Sequence, residues 1–391
     1  MDGPTVAALA LIALPALCFG YAYIVYPAIL WVLTRGRPAT TVPPAEPDGG
    51  EWPTISISLP AFNEEGSIAT TLDSLLRIDY PPERRQIVVV SDASTDGTDD
   101  VVRSYADRGV ELVRVGERRG KTAAEAAAIP HLTGEIVVNT DATITIPPSS
   151  VKPLVRAFRD ARVGVSSGRD VSVSGNADGS ARPESGYVGY EMWLRSLETR
   201  FGSIVGASGC FYAIRRPLHL AEFPEELSRD FASCMIARER GYRSVSVDEA
   251  VCYVPRAGSL DREYRRKVRT MARGLSTLWY KRALLDPLRY GRFSWMLASH
   301  KLARWLVWLT WPLGLAGLGM LAWKQPAIWP LVALAVLGFG VGFVRWKVRA
   351  GGERSVLDLP AYAVASAVAG LAAWGQALSG RNNAVWEPTR R

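Results

Sequence analysis

Four aspartates lie where their carboxylates can act together. Asp92 and Asp96 sit in VVVSDASTDGT, where an apolar run ends in a polar turn. Asp141 follows a second apolar run in EIVVNTDAT, and Asp230 opens DFASCMIARERGY. Carboxylates at the ends of buried strands converge on the crevice where open α/β sheets bind ligands. There they can hold a divalent cation on a phosphate and supply a general base.

The elements that must position them alternate in type. ISISLPAF, IVVVSD, VELVRV and EIVVNTD read as strands, and helices are predicted through LDSLLRI, DDVVRSYADRG and KTAAEAAAIPHL. This alternation predicts a mainly parallel, doubly wound sheet. The runs IVVV and EIVVN are continuous rather than alternating, as expected when helices cover both sheet faces. Residues 174–186 are rich in Gly, Ser and Asn and read as a loop.

Uncharged runs flank this region. The 391-residue chain is 48% hydrophobic and carries a formal net charge of +8. Residues 3–34 hold no formal charge and exceed the roughly 20 residues needed to cross a bilayer. Residues 305–323, 325–344 and 359–380 are three further uncharged segments. Arg35 and Arg37 follow the first span, which places the N-terminus outside and the next domain in the cytoplasm. Arg345, Lys347, Arg349 and Arg354 mark a second cytoplasmic loop. Four spans then put the tail outside, yet it carries Arg381, Arg390 and Arg391. Either the charge rule fails there or the last segment does not cross fully. The resulting organisation is a transmembrane helix at 1–37, a Pro-rich linker at 38–53, a soluble domain at 54–290, an interfacial helix at 291–304 and a C-terminal transmembrane region at 305–391.

Beside a bilayer, an arginine excess serves orientation and contact with membrane lipids, and no nucleic-acid partner is expected. Cys18, Cys210, Cys234 and Cys252 form no Cys-x-x-Cys pattern and read as reduced, buried thiols, so a zinc site is not expected either.

Single motifs are weak on their own. SLPAFNEE at 58–65 reads as a strand leading into a helix, with Asn63 as N-cap or with backbone and carboxylate groups offered to a nucleoside. SDASTDGT at 91–98 reads as a capped turn or as a second wall of the same site. In order, however, PAFNEE, SDASTDGT, RRGKTAA at 118–124, NTDAT at 139–143, SGCFYAIRR at 208–216, RDF at 229–231 with GYRSVSVDEAVCY at 241–253, and REYRRKVRTMARG at 262–274 resemble the family-two glycosyltransferases. These are inverting enzymes with a nucleotide-sugar-binding α/β fold of the GT-A type. SHKLARWL at 299–306 and the terminal VWEPTR resemble the membrane-embedded branch, which includes hyaluronan, chitin and cellulose synthases.

The resemblance implies roles. Pro60, Ala61, Glu64 and Asp92 would hold the base and ribose of a donor, with uridine the expected base, and Lys121 would lie near the base or diphosphate. Asp141, weakly aided by Thr143, would hold Mg²⁺ or Mn²⁺. Asp230 would deprotonate the acceptor hydroxyl, and Arg269 and Arg273 would neutralise the departing diphosphate. The chemistry suits these residue types: displacing a nucleoside diphosphate builds negative charge that a cation and arginines stabilise, and a sugar hydroxyl needs a base. Arg262, Arg265 or Arg266, Arg269 and Arg273 share one helical face, with Arg262 and Arg266 assigned to solvent or lipid headgroups.

Three departures qualify the match. Thr143 stands where the metal motif has a second aspartate. Arg229 precedes Asp230 where acidic residues are usual, and would lower the Asp230 pKa if their side chains met. The Gln-x-x-Arg-Trp pattern of processive synthases reads Thr270, Arg273 and Gly274. In 186–202, Tyr190, Trp193, Leu194 and Leu197 form a stripe read as core rather than as a sugar platform, and Glu191 and Glu198 either touch an acceptor or lie on the surface.

The expected protein is an inner-membrane inverting hexosyltransferase with a cytoplasmic active site. It would move a sugar from a UDP-sugar to a lipid-linked or polysaccharide acceptor in cell-envelope glycan synthesis. The competing readings are a processive synthase that exports its polymer and a catalytically dead scaffold.

Overall fold

The computed structural model describes residues 2–37, 51–173, 186–255, 260–348 and 358–380. Most of the linker at 38–53, nearly all of the loop at 174–186 and the tail from 381 lie outside the described residues. The chain divides into two compact units, one spanning Leu33–Arg256 and the other combining Met1–Val32 with Ala257–Asn382.

The α/β unit is built on a seven-stranded sheet in the order β3-β2-β1-β4-β6-β5-β7. Its strands are β1 (Ile55–Ala61), β2 (Arg85–Ser91), β3 (Val110–Arg114), β4 (Ile136–Thr140), β5 (Val163–Val173), β6 (Phe211–Arg215) and β7 (Arg243–Pro255). β1, β2, β3 and β4 run parallel, β6 is antiparallel to β4 and to β5, and β5 runs parallel to β7. The four predicted strands and three predicted helices of the first half form where expected, the helices at Ile68–Leu76, Thr98–Arg103 and Lys121–Ala128.

The unbroken apolar runs are explained by cover on both faces. Ile87 and Val89 join one buried cluster with Ile57, Leu59, Leu72 and Leu75. Val88 and Val90 point the other way, into a cluster with Ala124, Ala128, Val137 and Ile214.

One turn fixes the spacing of β1 and β4. The buried Ser56 hydroxyl donates to Gln86 Oε1 at 2.6 Å and accepts from Gly134 N at 2.8 Å. A Cβ on Gly134 would lie 2.4 Å from Ser56 N and 2.5 Å from the Ile55 carbonyl carbon. Backbone cannot step aside as a flexible side chain can. Gly134→Ala is therefore expected to destabilise the unit by about 1–3 kcal/mol, read as a lower melting temperature in the same detergent.

The second unit is helical. Gly3–Thr34, Arg292–Lys324, Pro326–Val348 and Asp358–Leu378 are long and apolar enough to cross a membrane. The segment expected as an interfacial helix at 291–304 instead continues, through a wider turn at Ala298–Leu302, into the following span. Small residues let these helices approach closely: a Cβ on Gly317 would meet Ala8 O at 2.7 Å, and one on Gly342 would meet Pro360 O at 2.8 Å. The basic helix Leu260–Tyr280, expected within the soluble domain, falls in this unit. Its Lys267 Nζ donates to Ser366 Oγ at 2.7 Å, and its Asp261 Oδ1 accepts from Trp346 Nε1 at 2.9 Å.

Candidate active site

The strand order reverses between β1 and β4, which opens a crevice at their C-terminal ends. Three loops form one wall. Asn63 and Ala93, just past β1 and β2, have φ of 52° and 56°. Asparagine tolerates this left-handed geometry, whereas alanine pays roughly 1–2 kcal/mol for it. Cross-links between the loops hold both turns. Asn63 N donates to Ser94 Oγ at 3.2 Å, and Asn63 Oδ1 accepts from Thr95 N at 2.8 Å. Glu64 N donates to Thr98 Oγ1 at 2.8 Å. Asn63 is thus a brace between the two motifs.

Pro60 and Ala61 are buried at the end of β1, and Ala61 O accepts from Asp92 N at 2.8 Å. Glu64 is buried, with Oε2 accepting from Ser67 Oγ at 2.7 Å. Asp92 is fully buried and accepts from Arg119 N at 2.9 Å and Gly120 N at 2.8 Å. It thereby ties the loop after β3 to the end of β2. Gly120 takes φ of 102°, a value that favours glycine there. The Arg118 guanidinium lies 3.7 Å from the Phe62 ring centroid. Asp96 works inside its own turn, accepting from Thr98 Oγ1 at 2.5 Å and Thr98 N at 3.0 Å. Burial opposes its charge, but these hydrogen bonds and that from Glu65 N outweigh it and hold Asp96 below the ordinary carboxylate range.

The other wall is charged. Lys121 begins its helix directly after Gly120, and its Nζ donates to Asp141 Oδ1 at 2.5 Å and to Gly209 O at 2.7 Å. Glu125 Oε1 lies 3.9 Å from the same Nζ. Burial works against the lysine's charge, but the fields of Asp141, Glu125 and Asp230 prevail and raise its pKa. Burial pushes the Glu125 carboxyl up, against the pull of Lys121 and Arg229. Asp230 occupies the first turn of the helix Arg229–Glu239, and its Oδ1 accepts from Ser228 Oγ at 2.7 Å. Its Oδ2 stands 3.0 Å from where a Cβ on Gly209 would be. Asp92 is thus linked through Gly120 to Lys121, whose Nζ holds both Asp141 and Gly209, and Gly209 adjoins Asp230.

The oxygen donors for a cation are sparse. Asp141 is about one-third exposed, and Thr143 is half-buried two residues on. The turn between them is pinned by Thr71 Oγ1, which donates to Ala142 O at 2.9 Å and Ile144 O at 3.0 Å. One carboxylate with a neighbouring hydroxyl fits the mode in which Mg²⁺ binds, through one or two carboxylates plus substrate phosphates.

Several expectations change. Arg229 does not pair with Asp230: it is buried, Nη1 donates to His219 O at 3.0 Å, and its guanidinium faces the Phe223 ring. His219 is held neutral, its pKa pushed down to about 3 by burial and then by Arg229. The 186–202 stripe splits, with Leu194 and Leu197 fully buried but Trp193 41% exposed, so Trp193 is not core. Glu198 is fully buried rather than on the surface. Arg269 and Arg273 are half-buried on the helix Leu260–Tyr280, where Arg262, Arg265 and Arg266 are exposed. Sequence reading missed Glu125, although KTAAE places it four residues after Lys121 on the same helical face. It also missed Gly209, whose backbone oxygen carries no sequence signal.

The Glycosyl transferase family 2 profile matches residues 56–220. An N-acetylglucosaminyltransferase of Rhizobium sp. (strain N33) is 26% identical over 252 residues, covering 57% of this chain and 55% of the relative. An N-acetylglucosaminyltransferase of Azorhizobium caulinodans is 29% identical over 221 residues, covering 51% and 54%. The chain thus spans about half the length of these curated relatives. Among solved structures, the mannosyltransferase PcManGT from Pyrobaculum calidifontis, in complex with GDP-Man and Mn²⁺, superimposes with a TM-score of 0.73. The two are 24% identical, with 97% of this chain and 99% of that one covered, a likeness of fold. Residues 56–220 are a family 2 glycosyltransferase domain on a GT-A-like α/β fold.

Proposed function

We propose that the protein is an inverting glycosyltransferase that moves a sugar from a UDP-sugar to a lipid-linked or polysaccharide acceptor at the cytoplasmic face of the inner membrane. The observation that carries this reading is the meeting of Lys121, Asp141 and Asp230 around Gly209, beside the loops that Asn63 and Asp92 tie together.

In this reading, Pro60, Ala61, Glu64 and the Asp92-anchored loop form the nucleoside cradle. Asp141 and Thr143 would hold Mg²⁺ or Mn²⁺, which supplies charge to the diphosphate as the leaving group departs. Asp230 accepts the proton of the acceptor hydroxyl as that oxygen bonds to the anomeric carbon. The bond from that carbon to the diphosphate oxygen breaks, and its electron pair leaves with the nucleotide. Lys121, kept charged by three carboxylates, adds a cation beside the phosphates. Arg269 and Arg273 are assigned to the same developing charge.

Two observations favour a non-processive enzyme. A Cβ on Gly274 would lie 2.9 Å from the Trp305 ring, so the position where processive synthases carry tryptophan has no room for one. Beyond the start of the second span, which carries His300, Lys301 and Arg304, the interiors of the spans offer almost no polar lining for a sugar channel apart from Gln376 and a few hydroxyls. The cytoplasmic orientation rests on Arg35, Arg37, Arg345 and Lys347 flanking the apolar helices.

The names of the curated relatives favour N-acetylglucosamine as the sugar, and the proposed carrier is UDP. A thermal-shift panel of nucleotide sugars with Mn²⁺ tests this, because a ligand that binds only the folded form raises its melting temperature. UDP-sugars are expected to stabilise the protein. Stabilisation by GDP-mannose alone would overturn the uridine assignment.

A further inference from the structure

A second cluster lies one residue beyond Gly209 and takes no part in the proposed reaction. Cys210, just before β6, and Cys252, on β7, bring their sulfurs to 3.9 Å without a bond between them. Asp170, opposite Cys252 in the β5–β7 register, accepts from Cys252 Sγ at 3.4 Å through Oδ1. All three donor atoms lie within 4.8 Å of one another.

We propose that Asp170, Cys210 and Cys252 form a binding site for a borderline-soft divalent cation of the zinc class, separate from the Asp141 site.

The spacing matches the ion. A tetrahedral centre with metal–sulfur bonds of about 2.3 Å and metal–oxygen bonds of about 2.1 Å sets S···S near 3.8 Å and S···O near 3.6 Å. The observed 3.9 and 3.4 Å fall close to those values. A disulfide needs about 2.05 Å, far shorter than this separation.

The surroundings hold the ligands in place. Ser208 Oγ donates to Asp170 Oδ1 at 2.5 Å and accepts from Cys210 N at 3.2 Å and Phe211 N at 3.1 Å. That uses its full hydrogen-bonding capacity, so the hydroxyl orients the carboxylate rather than binding metal. Cys210 and Cys252 are buried and Asp170 is half-buried, and a water molecule would complete the four-coordinate shell. Two thiols select a zinc-class ion over the harder Mg²⁺ or Mn²⁺. Binding converts both thiols to thiolates and releases two protons to solvent. The bound ion would fix the backbone beside Gly209, whose carbonyl accepts from Lys121.

The test is a Co²⁺ titration of the full chain in detergent, after reduction and chelation. One equivalent should give the visible bands of a tetrahedral site and a thiolate-to-cobalt band in the near ultraviolet. Zn²⁺ should displace it, with two protons released per ion bound. Cys252→Ser should abolish the thiolate band, whereas Asp141→Ala should keep it. Asp170→Asn keeps the side-chain shape and both thiols, and should weaken Co²⁺ binding by roughly tenfold or more. The proposal is overturned if wild-type protein gives no thiolate band. It is equally overturned if the band survives in both Cys210→Ser and Cys252→Ser, or is lost in Asp141→Ala and unchanged in Asp170→Asn.

Discussion

Asp230→Asn is expected to lower the rate of sugar transfer by roughly 10²–10⁴-fold while leaving donor binding intact. Asparagine keeps the shape of the side chain, and its oxygen can still accept from the Ser228 hydroxyl that now contacts Oδ1 at 2.7 Å. What it loses is a basic oxygen for the acceptor proton. The variant therefore separates proton transfer from positioning. Initial rates with labelled donor, together with nucleotide binding and a melting curve, make the check. A rate within a factor of about two of wild type would remove Asp230 from the role of base, because a general base contributes far more than that. Equally slow donor turnover by wild type and variant would favour a catalytically inactive scaffold.

Asp141→Ala is expected to abolish Mn²⁺-dependent donor binding in calorimetry. Asp141 is the carboxylate at the end of β4, and the hydroxyl of Thr143 is a poor substitute for the second carboxylate that the family motif carries. The substitution also strips Lys121 of its partner at 2.5 Å, leaving the ammonium to Gly209 O and to Glu125 at 3.9 Å. Loss of binding in the single variant could then reflect a misplaced lysine. The double variant Asp141→Ala/Lys121→Met removes both charges and resolves this. It is expected to melt near wild type and still show no Mn²⁺ dependence. Lys121→Met alone should bind Mn²⁺ more tightly in the absence of nucleotide, since the ion no longer competes with an ammonium for Oδ1. Unchanged Mn²⁺-dependent binding in Asp141→Ala would take Asp141 out of the site.

Much of this was legible before any coordinates. Apolar runs ending in aspartates marked the ends of β2 and β4, because a strand buried on both faces must be apolar throughout and its polar residues collect where it emerges. The four apolar helices were equally plain, since a bilayer demands uncharged length. Harder to see was how each charge would be partnered. Arg229 stands beside Asp230 in sequence, but adjacent helical residues diverge by about 100°, and its side chain turns to the His219 carbonyl. Asp92 looked like a ligand and is held by the amides of Arg119 and Gly120, contacts that no side-chain pattern announces. The cysteine pair escaped notice because its members lie 42 residues apart and meet only through sheet pairing. The helix Leu260–Tyr280 was read as part of the soluble domain because its motif closes the ordered series, yet its other face packs on the apolar helices.

The most direct test of the central assignment is a structure of the full chain with UDP-N-acetylglucosamine and Mn²⁺. The expected result is an Mn²⁺ anomalous peak on Asp141, uridine in the cradle formed by the ends of β1, β2 and β3, and the Asp230 carboxylate on the sugar side. Nucleotide bound on another face of the sheet, with the crevice between β1 and β4 empty, would contradict it.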